Sequence, residues 1–130
     1  MILIDKKLLN AICVQASENE RLRKNYNFHE TLDAPAQRLL NALQPDTKLP
    51  IHRHTHTAET YILLQGKLRV LCYNFEKELT DSVVLGQEEG RFGIHVPVGQ
   101  WHTIEVLEPD TVLFEVKDGP YIPLSEENIL

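Results

Sequence analysis

Pro50-Ile51-His52-Arg53-His54-Thr55-His56-Thr57-Ala58-Glu59-Thr60-Tyr61-Ile62-Leu63-Leu64-Gln65-Gly66 gathers three imidazoles, a carboxylate and a phenol ahead of an apolar run that closes on glycine. Read as a strand, the stretch alternates its side chains between two faces, so His52, His54 and His56 share one face. Neighbours on that face can reach a common ion. His52 and His56 lie about 13 Å apart at ~3.3 Å per residue, too far to converge. An ion therefore takes one adjacent pair. Glu59 is the best oxygen donor available, and Tyr61, two residues on, shares the ligand face, where its hydroxyl can donate a hydrogen bond or a proton.

Outward from this stretch, the chain from Tyr26 onward consists of short apolar runs broken by Gln44-Pro45-Asp46-Thr47, Gln65-Gly66-Lys67, Leu85-Gly86, Pro97-Val98-Gly99 and Glu108-Pro109-Asp110. Turn signals at such regular spacing predict an all-β domain, an antiparallel barrel or sandwich, over residues 26–125. Arg38 to Leu43 is compositionally ambiguous and reads as a strand in this context. The first 25 residues differ. Leu8, Leu9, Ile12 and Cys13 recur at helical spacing behind Asp5, an N-cap, which predicts a helix from about Lys6 to Gln15. Ser17-Glu18-Asn19-Glu20 resembles a capping box that would open a second short helix through Arg23 or Lys24. Both helices are expected on the outside of the β domain.

With 130 residues, 42% hydrophobic and 25% charged, the chain suits one compact soluble domain. Its net charge of −6 and the absence of a Lys/Arg cluster argue against nucleic acid and membrane surfaces as partners. No stretch approaches the ~20 apolar residues of a membrane span, and a cytoplasmic location is expected. Cys13 and Cys72, far apart and outside any CxxC, read as small buried apolar residues.

His52-x-His54, four residues, Glu59, six residues and Gly66 resemble the first cupin motif, HxHx4Ex6G. Pro97-Val98-Gly99-Gln100-Trp101-His102, about thirty residues beyond Gly66, resembles the PxGxxH end of the second. The resemblance selects His52 and His54 over His56 and implies His102 as the fourth ligand. The motifs' leading glycines fall on Asp46 and Arg91 here, and the asparagine expected after the last histidine on Val106; none of these supplies a ligand. Asn27-Phe28-His29, Gln37 to Leu43, Pro50 to His54 and Phe114 to Tyr121 further resemble the WbuC family of cupin-fold metalloproteins. That resemblance implies a cupin β-barrel (double-stranded β-helix, or jelly roll) with a metal site, a link to bacterial surface-polysaccharide or sugar-nucleotide metabolism, and a homodimer, without settling a reaction.

Three imidazoles and a carboxylate suit one divalent transition metal, whether Zn, Fe, Mn, Ni, Co or Cu, and leave positions open for water or substrate. The expected ligands are His52, His54, Glu59 and His102, with Tyr61 as the catalytic group or, alternatively, an aromatic filler of the barrel. Asn27, His29 and Arg38, polar groups in the family-like segments, are candidates for substrate binding, with structural roles as the alternative. His56 reads as a rim residue, His95 as an outer-surface one and Trp101 as packing; Glu115 and Lys117 are placed by default on a solvated face. The expected partner is a small sugar-like molecule or sugar nucleotide. The expected chemistry is Lewis-acid isomerisation or epimerisation, with non-catalytic metal-dependent binding and Fe(II) dioxygenation as alternatives.

Overall fold

The computed structural model describes residues 1–130. Asp5 caps the first helix, its carboxylate accepting from the Leu8 amide at 3.0 Å, and α1 runs Lys6–Glu18. The second helix predicted from Ser17 to Arg23 or Lys24 does not form. Asn19 is extended, its side chain instead accepts from the Arg21 amide at 2.8 Å, and Leu22 turns the chain at φ 58. An Asx turn has captured the amide that a helix would have used.

Eight strands follow: β1 (Arg23–Asn27), β2 (Ala36–Leu43), β3 (Glu59–Gln65), β4 (Leu68–Tyr73), β5 (Leu79–Leu85), β6 (Gly93–Val96), β7 (Trp101–Val106) and β8 (Thr111–Asp118). They form two sheets, β1-β2-β8-β3-β6 and β5-β4-β7, with antiparallel pairing throughout. The all-β class expected from the turn spacing is what the chain adopts. Leu43, Leu63 and Leu113 of the larger sheet close against Leu68, Val70, Leu85 and Val106 of the smaller.

The strand predicted at Arg38–Leu43 lies within β2, and its ambiguity has a physical source. Leu43 turns into the barrel, whereas Leu40 and Ala42 turn outward beneath Leu9, Ile12, Cys13 and Ala16 of α1. A strand covered on both faces loses the alternation that identifies strands. Cys13 is buried there and, like Cys72, is a free thiol.

The inner face of the larger sheet divides along its length. One end is leucine. At the other, register places Lys117 of β8 opposite both Glu59 and Gln37, Glu115 opposite Tyr61, and Asn41 opposite Asn25.

Three turn positions show where the motif needs glycine and where it does not. Asp46 takes the left-handed region at φ 75, which aspartate tolerates better than most residues, so the turn survives without glycine. Gly66, at φ 85, has no such latitude: a Cβ would lie 2.6 Å from the Thr111 Cα. Gly99, at φ 82, has open space around it. Gly66→Ala should therefore cost roughly 3 kcal/mol, strain plus a clash, and Gly99→Ala about 1 kcal/mol from strain alone. Urea unfolding of the two variants beside the parent measures both.

Candidate metal centre

The histidine-rich stretch is not the strand predicted for it. Only His52 pairs, bridging to His102 and Ile129, and β3 begins at Glu59. His52 and His102 exchange backbone hydrogen bonds of 3.0 and 2.9 Å, which brings their ring centroids to 4.4 Å. His54 lies in the loop beyond, its carbonyl accepting from the Gly99 amide at 2.8 Å. The two motif segments thus hold each other in place through the main chain.

Ligand atoms of His52, Glu59 and His102, all buried, lie within 4.8 Å of one another and could hold a metal ion. The His54 Nε2 reaches the same carboxylate, 3.1 Å from Glu59 Oε1. His52 Nδ1 lies 2.9 Å from the Pro50 carbonyl, and His102 Nδ1 2.9 Å from that of Gln100. A carbonyl only accepts, so both Nδ1 atoms carry the hydrogen and both Nε2 atoms present bare lone pairs. His102 Nε2 then faces Glu59 Oε1 at 3.4 Å, lone pair toward lone pair. That arrangement is unfavourable alone and favourable around a cation or a proton. Carbonyl-anchored imidazoles beside a carboxylate are the donor set a transition metal takes, and these residues fit one.

Tyr61 is buried against this set, its hydroxyl 3.1 Å from Glu59 Oε1 and 3.2 Å from His102 Nε2. Burial, then the Glu59 and Glu115 carboxylates, push its phenol well above the ordinary value. At neutral pH it is a hydrogen donor and not a base. Burial works to raise the Glu59 carboxyl, but once a proton lies between it and the imidazoles their hydrogen bonds, from His102 and then His54, outweigh burial and hold the group below the usual carboxylate range.

The cavity over these residues measures about 180 Å³ and is also lined by Arg23, Asn25, Asn41, Glu115 and Lys117. Asn27 and His29 line an adjoining cavity of about 270 Å³ that shares Asn25, Lys117 and Tyr121 with the first. Arg38 is not brought to either: its side chain is exposed, and its backbone amide donates to His29 Nδ1 at 3.3 Å. His56 is exposed, its ring centroid 6.1 Å from that of His54. His95 is exposed and meets Thr60 at 2.9 Å. Trp101 is buried packing with the Arg53 guanidinium stacked 4.5 Å from its ring.

The solvated placement of Glu115 is corrected. It is 8% exposed inside the cavity and accepts from Asn41 Nδ2 at 2.9 Å. Burial, then Glu59, raise its carboxyl above the usual range. Its alternation with Phe114 and Val116 showed two faces without saying which was inner, because apolar Phe114 is claimed by the outer cluster beneath α1. Asn25 and Asn41 carried no motif. Nor did Tyr121, Ile122 and Leu124, which line the cavity from a C-terminal segment tied back by Asn128 and Leu130 to Arg53 and Ile51.

A family model described as a domain of unknown function, DUF6016, matches residues 4–85. The chain belongs to that family. No curated protein matches it. Among solved structures, this DUF6016 protein resembles CapF, described as a capsular polysaccharide assembling protein, from Staphylococcus aureus, at 20% identity and a TM-score of 0.62 over 76% of this chain and 27% of that one. KdgF from Halomonas sp. aligns at 15% identity and a TM-score of 0.57, over 74% of this chain and 79% of that one. The cupin domain of Cnp3 from Schizosaccharomyces pombe aligns at 13% and 0.59, over 74% and 60%. The DUF6016 chain thus spans only about a quarter of CapF, 27% of its length. The shared property is the fold: the two-sheet barrel has the cupin fold. No helix is long and apolar enough to cross a membrane.

Burial, then His102, push the His52 imidazole down to about 4 from 6.5. Below about pH 6.5 the unfolded chain takes up a proton that the folded site refuses until about pH 4. Stability of the chelator-treated protein should therefore fall as pH drops through that window, by on the order of 3 kcal/mol from this group. Denaturant unfolding of the parent and His52→Gln across pH 4–7 checks this; the variant should show a shallower pH slope.

Proposed function

We propose that this DUF6016 cupin binds one divalent transition metal through His52, His54, Glu59 and His102 and acts on a small sugar-like metabolite as a Lewis-acid isomerase or epimerase. The observation that carries the reading is the pair of carbonyl-anchored imidazoles, His52 and His102, converging on the buried Glu59 carboxylate. A divalent ion held there supplies Lewis acidity toward a hydroxyl, carbonyl or carboxylate oxygen. Tyr61 keeps its proton and donates toward the oxygen that gains charge. Glu115, a carboxyl raised above its usual range, is better matched to accepting a carbon-bound proton near neutral pH than an exposed carboxylate would be. Asn27 and His29 contact the part of the ligand beyond the metal, and Arg38 serves the fold by holding His29. The resemblance to the WbuC family and the fold shared with CapF, described as assembling capsular polysaccharide, support bacterial surface-polysaccharide metabolism as the setting.

Untagged protein purified without added metal should contain about one equivalent of transition metal by elemental analysis, lost in His54→Ala and His102→Ala. Tyr61→Phe should retain the metal while turnover falls about 10²–10⁴-fold. No metal in the parent, with no uptake by the apo protein, would sink the reading. Saturable thermal stabilisation by a sugar without product would mark a metal-dependent binding protein instead.

A further inference from the structure

Lys117 is a cation on the inner face of the sheet that feels the Glu59 and Glu115 carboxylates but closes an ion pair with neither. It is half-buried, in register with Glu59 across the β3–β8 pair, so their Cβ atoms lie roughly 5 Å apart. Yet the chain's ion pairs are His54–Glu59, His102–Glu59, Lys67–Glu89 and Arg69–Glu105, and Lys117 joins none of them. The other carboxylate in the cavity, Glu115, is taken by Asn41. Lys117 lines the metal-site cavity, the adjoining one beside Asn27 and His29, and a small cleft beside His54 and His56, so it is a residue common to all three. A lysine held at an inward position gives up side-chain entropy and hydration that two carboxylates acting at a distance return only in part.

We propose that the ligand of this site is a small organic anion whose carboxylate or phosphate is held by Lys117 while its neighbouring oxygens face the metal ligands. The inference rests on the metal reading above and narrows it. Arg23 lines the same cavity. With a divalent ion on the histidines, these two cations leave the cavity with a surplus of two positive charges, even with Glu59 and Glu115 both ionised, in a chain whose overall charge is −6. A cleft with low-dielectric walls concentrates such a field and selects an anion over a neutral sugar of the same shape. The two cavities, about 180 and 270 Å³, together fall within the ~300–1,000 Å³ usual for small-molecule sites.

Calorimetric titration of metal-loaded protein with D-glucuronate, D-glucose 1-phosphate and D-glucose tests the inference, with metal content measured on the same samples. At least one anion should bind about tenfold or more tightly than glucose, the value of a charged hydrogen bond, and the preferred anion identifies carboxylate or phosphate. Lys117→Gln should lose that preference with metal content unchanged, and Lys117→Arg should retain most of it. Binding of glucose as tight as both anions, binding of neither anion, or an unchanged preference in Lys117→Gln overturns the inference. A Lys117→Gln chain that fails to fold leaves the parent's preference and the Lys117→Arg affinity as the deciding measurements. Absent metal in the parent overturns the metal reading instead, so the two failures are distinct.

Discussion

A carboxylate cannot be buried inside a β-barrel without groups that compensate its lost hydration, and Glu59, 4% exposed, is such a carboxylate. No lysine or arginine pairs with it. Its oxygen instead collects His54, His102 and Tyr61, all within 3.4 Å. Much of the polar end of the barrel is explained by this demand: His102 is set by its bridge to His52, His54 by the Gly99 amide, and Tyr61 by its place two residues along the same strand. The carboxylate and the imidazoles can satisfy one another only in part, and the remaining lone pairs converge.

The cost of this polar cluster is offset elsewhere on the same sheet. Leu43, Leu63 and Leu113 continue the strands that carry Asn41, Tyr61 and Glu115, and they pack against the small sheet to form the main apolar core. A second cluster on the outer face, where α1 covers Leu40, Ala42 and Val112, clamps β2 and β8 from behind. These two strands position Asn41, Glu115 and Lys117. The helix is remote from the chemistry, yet it stiffens the wall on which half of the cavity is built.

Charge in this protein is distributed against its average. The chain is acidic overall, while the cavity pairs two cations with two largely occupied carboxylates and a cluster of imidazole lone pairs. Net charge describes how the molecule meets nucleic acid or membrane. It does not describe a cleft a few ångströms wide, where individual side chains dominate the field.

The spacing of His52, His54, Glu59, Gly66 and His102 was legible because a local motif encodes backbone geometry: how far the chain travels between candidate ligands, and where glycine must let it turn. The same holds for α1, whose cap and periodicity are contained within a few residues, and for the all-β class, which turn spacing announces. What lay beyond the sequence depended on which face each element covers. Glu115 and Lys117 could not be placed until both sides of β8 were known to be occupied, and the helix expected after Ser17 yielded to an Asx turn as the chain entered β1. Asn25, Asn41 and the C-terminal residues over the cavity come from strands and segments brought together by long-range pairing. Local sequence determined the candidate ligand set and the class of fold; only tertiary structure decided the cavity's walls and charge, because those arise from contacts between residues the chain keeps far apart.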